Sequence, residues 1–368
     1  MKTSSDIFKH RLRTKWRWPR MRIRRLLCTA VFSVAALLLA SCGGTSSAPA
    51  TSGKYIIGVS NTLTGNGWRE EMICSIKAQA LVSHKVAKII IANRTEGPEG
   101  QIQDLRNLIA DGVNAIILDP SDYTALDPVL EQAVKKGIVV VAVDQPVAAK
   151  GVYIVDNNQT MYGYLGAKWL FRYLGGKGNV VEMQGIDGAP ANTERQNGFE
   201  QALKEFPGIK IVANTYTNWS QAPAEEQIRD LLNSGTKIDG IWTSGIDSTI
   251  VDVYTAEHKP YVPVVGADNN GFIEQLLTLK SKGLYGAAVT NPPTVGGAGL
   301  TVALDVLQGK KMPHLIQLTP QVWSNTTPQG IKELQDHYFP GTSAYFATDY
   351  NIPYTSFTKS QLLNCQGP

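Results

Sequence analysis

Histidine is scarce in this chain and poorly placed for chemistry. The 368 residues include five, His10, His84, His258, His314 and His337, and none stands beside the chain's other clustered polar residues. Histidine is the usual proton carrier, so this argues against acid–base catalysis. There is no Ser-His-Asp order, no HExxH, no GxGxxG and no phosphate-loop pattern. Those absences exclude the common motif-bearing hydrolase, zinc-peptidase, dinucleotide and nucleotide classes. No cofactor and no bound metal are expected. A long apolar run is also missing. Leu26–Ala40 is 15 residues, short of the ~20 that a membrane-spanning helix needs.

Basic charge is present only where it serves targeting. The chain has 35 Lys/Arg and 31 Asp/Glu, net +4, but residues 1–42 hold ten of the bases and one of the acids. The remainder has 25 against 30, net −5. The balance gives no argument for nucleic-acid binding. The start of the chain reads as a secretory leader, basic, then apolar, then small. Met21-Arg-Ile-Arg-Arg is a second compact basic start. The leader closes on Leu39-Ala40-Ser41-Cys42, which resembles the bacterial lipoprotein cleavage box. That resemblance implies lipid on Cys42 and a protein anchored outside the cytoplasmic membrane. Gly43–Gly53 reads as a flexible tether.

Cysteine is equally sparse, at four residues. Cys28 lies in the leader and Cys42 is the expected lipid site. Cys74 and Cys365 remain, one near each end of the folded part, in a compartment that permits disulfides. The expectation is a bridge between them; two free thiols, with Cys74 buried on the first helix, is the alternative.

What is present is a regular alternation. Apolar runs at Tyr55–Val59, Ala87–Ala92, Ala115–Leu118 and Ile138–Val143 are separated by helical patterns, and the order restarts at Val152–Val155. Strands apolar on both faces fit parallel sheets covered by helices. The pattern predicts an α/β chain of two doubly wound parallel-sheet domains. About 315 residues after the tether suit two cores. Met312–Val322 is expected to contain one strand, Pro328–His337 a short helix, and the rest of 312–368 an extended tail packed on the domains.

Polar residues gather just after the strands, where open α/β sheets bind ligands. They are Asn66, Trp68 and Arg69, then Asp144 and Gln145, and in the second half Arg195, Trp219, Asp247, Asp268 and Thr290 beside Asn291. Carboxylates and guanidiniums suit paired hydrogen bonds to vicinal hydroxyls. An indole suits the C–H face of a sugar ring or polyol. Each has a blander reading: Trp68 filling a core, Arg69 solvated, each Asp capping the next helix.

Taken together, Ile57-Gly-Val-Ser60, Leu118-Asp-Pro-Ser121, Val143-Asp-Gln145, Gln184-Gly-Ile-Asp-Gly188, Glu194-Arg-Gln-Asn-Gly-Phe199 and Val264-Val-Gly-Ala-Asp268 resemble the ribose-binding-protein family, the type I solute-binding proteins of sugar ABC transporters. The similarity runs over about Tyr55–Lys311. It implies two α/β domains joined by a three-strand hinge, with crossings near Asn157, Asn291 and after Gly309. The implied domains are 54–157 plus 292–311 and 158–291. Asn66, Trp68, Asp144, Arg195, Trp219 and Asp268 match the family's pocket positions, and Thr290 falls where a glutamine is often placed. The chain departs from ribose binders at Arg69 and Ala267, where they have aromatics, and at Gln145, where they have arginine. The asparagine expected after Trp242 is missing, and Asp247 is a candidate replacement. These departures leave a different pentose, a hexose or a sugar alcohol as well supported as ribose. The implied mechanism is hinge closure around the ligand and docking on an ABC permease, with no chemistry done and a monomer as the expected state. A sensing subunit that presents its closed form to a membrane receptor kinase would use the same pocket. An enzyme would need Asp144 and Asp268 to face each other across the cleft.

Overall fold

The computed structural model describes residues 54–368. The leader, Cys42 and the tether lie outside the described residues. No helix among the described residues is long and apolar enough to cross a membrane.

The first lobe begins β1 (Tyr55–Asn61), α1 (Gly67–Ser83), β2 (Val86–Asn93), α2 (Pro98–Ala110), β3 (Ala115–Leu118), α3 (Asp127–Lys135), β4 (Val139–Asp144) and β5 (Tyr153–Asn157). The chain crosses to the second lobe and forms α4 (Gln159–Tyr173), β6 (Lys177–Gln184), α5 (Pro190–Glu205), β7 (Gly208–Tyr216), α6 (Gln221–Asn233) and β8 (Gly240–Thr243). It continues with α7 (Asp247–Ala256), β9 (Val264–Ala267), α8 (Asn270–Thr278) and β10 (Gly286–Val289). Helix α9 (Val295–Leu307) returns to the first lobe.

The two sheets share one topology, β2-β1-β3-β4-β5 and β7-β6-β8-β9-β10. All of these pairings are parallel. Central strands are apolar on both faces because both faces are covered. Ile117 and Val141 pack with α1 and α9, while Ile116 and Val140 pack with α2 and α3. In the second lobe α4 and α5 cover one face, and α6, α7 and α8 the other. Strand order reverses on either side of β1 and of β6. The crevice at such a switch point opens at the carboxyl ends of the strands, where β1, β4, β6, β8 and β9 end.

The segment from Met312 differs from the expected tail. The strand expected within Met312–Val322 is there, and a second, unexpected one follows it. Strand β11 (Leu315–Leu318) adds to β5 in parallel, and β12 (Val322–Ser324) adds to β10 antiparallel. The third crossing therefore lies between β11 and β12. Beyond it, α10 (Pro328–His337) packs on the second lobe. The chain then passes back to the first lobe, where Ile352 enters that core. There α11 (Lys359–Asn364) lies along α1. Strand β12 left little signal because it is three residues long, while Leu315–Leu318 is an edge strand with alternating exposure, unlike the buried runs before it.

Cys74 on α1 and Cys365 after α11 are joined in a disulfide, with Cα atoms 4.5 Å apart and 291 residues between them in sequence.

Candidate functional site

Strand β4 ends at Asp144, whose backbone φ is +65°. The N–H of Gln145 donates to the carbonyl of Val143 at 2.7 Å, closing a γ-turn of the rare left-handed kind. Such strain in a non-glycine residue is typical of functional sites, and Asp144 lines the cleft between the lobes. Its Oδ1 accepts from Gln159 Nε2 at 2.8 Å. Gln159 Oε1 in turn accepts from Arg195 Nε at 2.8 Å, so one glutamine fixes both charged groups.

Arg195 stands on α5, buried, with its guanidinium 4.1 Å from the ring centre of Tyr162. Its Nη1 donates to the carbonyl of Ser244 at 2.9 Å. The close approach of α4 and α5 that brings it here depends on Gly163 and Gly198. A Cβ on either would collide with backbone carbonyl of the other helix.

Asn66 caps α1, its Oδ1 accepting from Arg69 N at 3.1 Å. Its Nδ2 reaches across the cleft to the carbonyl of Trp219 at 3.0 Å. Trp68 Nε1 donates to the carbonyl of Asn291 at 2.6 Å. Arg69 is buried and pairs with the fully buried Asp119. Its guanidinium lies 5.7 Å from the Trp68 ring centre and 5.9 Å from that of Trp219. Trp219 has φ +49°, and its Nε1 donates to the carbonyl of Ser244 at 3.0 Å. Two indoles from opposite lobes therefore meet around one cation.

Asn66, Trp68, Arg69, Asp144, Arg195 and Trp219 all line the cleft. The other four expected residues do not line it. Gln145 is buried, its Nε2 donating to Asp119 Oδ1 at 2.6 Å and its Oε1 accepting from Ala191 N at 3.0 Å. Asp247 accepts from Ala267 N and Asn269 Nδ2 at the start of α7. Asp268 accepts from Asn291 N at 2.9 Å and Asp349 N at 3.0 Å. It therefore binds the hinge to the C-terminal segment and does not oppose Asp144 as a second carboxylate. Thr290 Oγ1 accepts from Gln321 N at 3.0 Å, tying two hinge segments together. The cleft position is its neighbour Asn291. One orientation of the Asn291 amide accepts from Asn157 and Gln159 at 3.1 Å, and the other accepts from Arg195 Nη2 at 2.9 Å.

Ser244, Gln221, Asn269 and Tyr345 also line the cleft and were not anticipated. Ser244 follows β8 directly and Asn269 stands two residues after β9, so strand-end position was a usable signal for them. Tyr345 lies far down the chain, where no local pattern pointed to the cleft.

Burial pushes the Asp144 carboxyl up from the ordinary carboxylate range, against the pull of Arg195 and Arg69. Burial also raises Asp119, with Arg69 opposing. Two guanidiniums fixed beside one carboxylate offer donors and an acceptor on a small scale, with indoles as flat walls. The cleft is narrow and partly enclosed, lined on one lobe by Asn66, Trp68, Arg69 and Asp144 and on the other by Arg195, Trp219 and Ser244. Among the described residues no group of three or more His, Cys, Asp or Glu is placed to hold a metal ion.

Residues 57–311 match the periplasmic binding protein domain family, and the chain belongs to that family. Its fold is that of the type I periplasmic binding proteins, and the relatives it matches are substrate-binding proteins and not enzymes. It is 25% identical over 294 residues to the galactofuranose-binding protein YtfQ of Escherichia coli, covering 77% of this chain and 92% of that one. It is 29% identical over 214 residues to a xylitol-binding protein of Mycolicibacterium smegmatis, covering 57% and 61%. Among solved structures it is similar to an ABC transporter solute-binding protein from Thermobispora bispora, with a TM-score of 0.72 and 24% identity over 84% of this chain and 94% of that one.

Proposed function

We propose that the chain is an exported, lipid-anchored binding protein that closes on one small sugar or sugar alcohol and delivers it to an ABC importer. The observation that carries the ligand class is the Asp144 carboxylate set among the guanidiniums of Arg69 and Arg195, with Trp68 and Trp219 on opposite lobes. A carboxylate accepts from two neighbouring hydroxyls while a guanidinium donates to them. Indoles cover the C–H face. Pentoses, hexoses and polyols share that chemistry, and relatives named for a furanose sugar and for xylitol lie on both sides of it.

Closure follows from differential contact. Only the closed arrangement lets both lobes touch one ligand, so binding favours it. The cross-lobe bonds Asn66 to Trp219 and Ala191 to Gln145 belong to that arrangement. The leader, the Cys42 box and the tether support export and lipid anchoring.

The test is a thermal-shift screen of residues 43–368 against pentoses, hexoses and sugar alcohols. A ligand that binds only the folded state stabilises it by mass action, by about 2.7 kcal/mol at a hundredfold excess over Kd, and so raises the melting temperature. One sugar or polyol should stand out. A flat response across the panel would contradict the ligand class.

A further inference from the structure

The family match ends at residue 311, yet the cleft does not. Tyr345 and Ala347 line it, and they come from the segment after α10. That segment is fastened to the second lobe by a run of backbone bonds. Gly271 N donates to Ala344 O at 2.8 Å, Asn270 N to Phe346 O at 2.8 Å and Thr348 N to Asp268 O at 3.0 Å. Asn270 also holds Phe339 and Thr342 through its side chain.

The same segment is fastened to the first lobe. Ala347 N donates to Oε2 of the buried Glu71 on α1 at 2.8 Å. Ser356 and Gln79 exchange hydrogen bonds at 3.0 and 3.1 Å. Phe357 and Leu362 pack on Ala78. The disulfide Cys74–Cys365 closes the end. The chain thus passes between the lobes a fourth time, alongside the hinge at Asp268 and with Tyr345 and Ala347 on the cleft, in addition to the three hinge crossings. Gly67, the first residue of α1, records how tightly it lies: a Cβ there would fall 2.5 Å from Tyr345 Cβ.

We propose that residues 338–365 form a strap that completes the binding site, with Tyr345 contacting the ligand and limiting its size and the Cys74–Cys365 disulfide holding the strap across the closed cleft. This rests on the sugar-or-polyol reading for the ligand but not for the strap. Opening the lobes must stretch or lift a segment anchored at both ends, so the disulfide restrains opening and slows ligand release. A free carboxyl-terminal segment would impose no such restraint. Tyr345 is 47% exposed, which places it at the mouth, where a larger substituent on the ligand would meet it.

The experiment compares wild type, Tyr345→Ala and Cys365→Ser by calorimetric titration and stopped-flow release with the sugar or polyol found in the screen. Small-angle scattering of the unliganded proteins is run alongside. Tyr345→Ala keeps the disulfide and should fold normally. Its affinity should fall about tenfold, and it should accept a methyl glycoside that wild type rejects. Cys365→Ser should release ligand several-fold faster and show a larger radius of gyration without ligand. Unchanged affinity and selectivity in Tyr345→Ala would remove Tyr345 from the site. Equal radii and release rates in Cys365→Ser would overturn the strap. If no carbohydrate binds wild type, the ligand class fails on its own. The scattering comparison still decides the strap: a larger radius in Cys365→Ser supports it, and equal radii overturn it.

Discussion

Arg69 and Trp219 touch each other across the cleft, but substitution should separate them. Arg69 is the partner of Asp119, which is fully buried and whose carboxyl is otherwise held, among the described residues, only by Gln145. Arg69→Met would leave that carboxylate unpaired, at a cost of about 3–5 kcal/mol. With Arg69 in place burial already holds this carboxyl at about 7, and losing the guanidinium raises it further, so the deficit should be small at pH 5 and grow as the pH rises to 8. Urea unfolding at both pH values measures it. Trp219 sits on a loop and is half-buried. Trp219→Ala should cut ligand affinity about tenfold while the unliganded melting temperature changes by no more than a few degrees. A sharp fall in that temperature would make Trp219 a core residue. At this scale the sequence was legible where residue type and strand-end position agreed, as for Asn66, Trp68, Arg69, Asp144, Arg195 and Trp219. It was ambiguous where a carboxylate could equally accept backbone N–H groups. Asp247 and Asp268 took that second role. Thr290 accepts from Gln321 N through its hydroxyl in the hinge, and its neighbour Asn291 lines the cleft.

Among the elements, β6 carries a buried liability. Glu182 Oε2 accepts from Asn214 Nδ2 at 3.0 Å, while Oε1 has no partner among the described residues. Burial pushes the carboxyl up to about 8, and Glu200 adds to the rise. The folded state therefore keeps a proton that the unfolded chain releases near pH ~4.3. Stability from this group is present below that value and is lost as pH rises toward 8. Burial raises Asp156, Asp247 and Asp349 to about 7 in the same sense. Wild type should melt lower at pH 8 than at pH 5. Glu182→Gln should reduce that difference and raise the melting temperature at pH 8 only; an equal change at both values would contradict the assignment. Elements such as β3, β8 and β9 were legible because strands buried on both faces read as unbroken apolar runs. Strand β11 was legible only as one strand somewhere in Met312–Val322, being an exposed edge, and β12 was not legible, being three residues long.

For the whole molecule, the alternation of strands and helices pointed to two lobes, but it could not show that the last residues bind them together. Long-range pairing leaves no local period in the sequence. Two lone cysteines were the one hint, and the disulfide joins them across 291 residues. The central claim is that a single small polyhydroxyl ligand sits between the lobes on Asp144. Calorimetric titration of residues 43–368 and of Asp144→Asn with the sugar or polyol that shifts melting tests it most directly. Wild type should bind one ligand per chain. Asp144→Asn should lose about 2–3 kcal/mol, or roughly 30- to 150-fold in affinity, because hydrogen bonds to a charged group are removed from a buried site. One-to-one binding that Asp144→Asn leaves unchanged would place the ligand elsewhere and contradict the account.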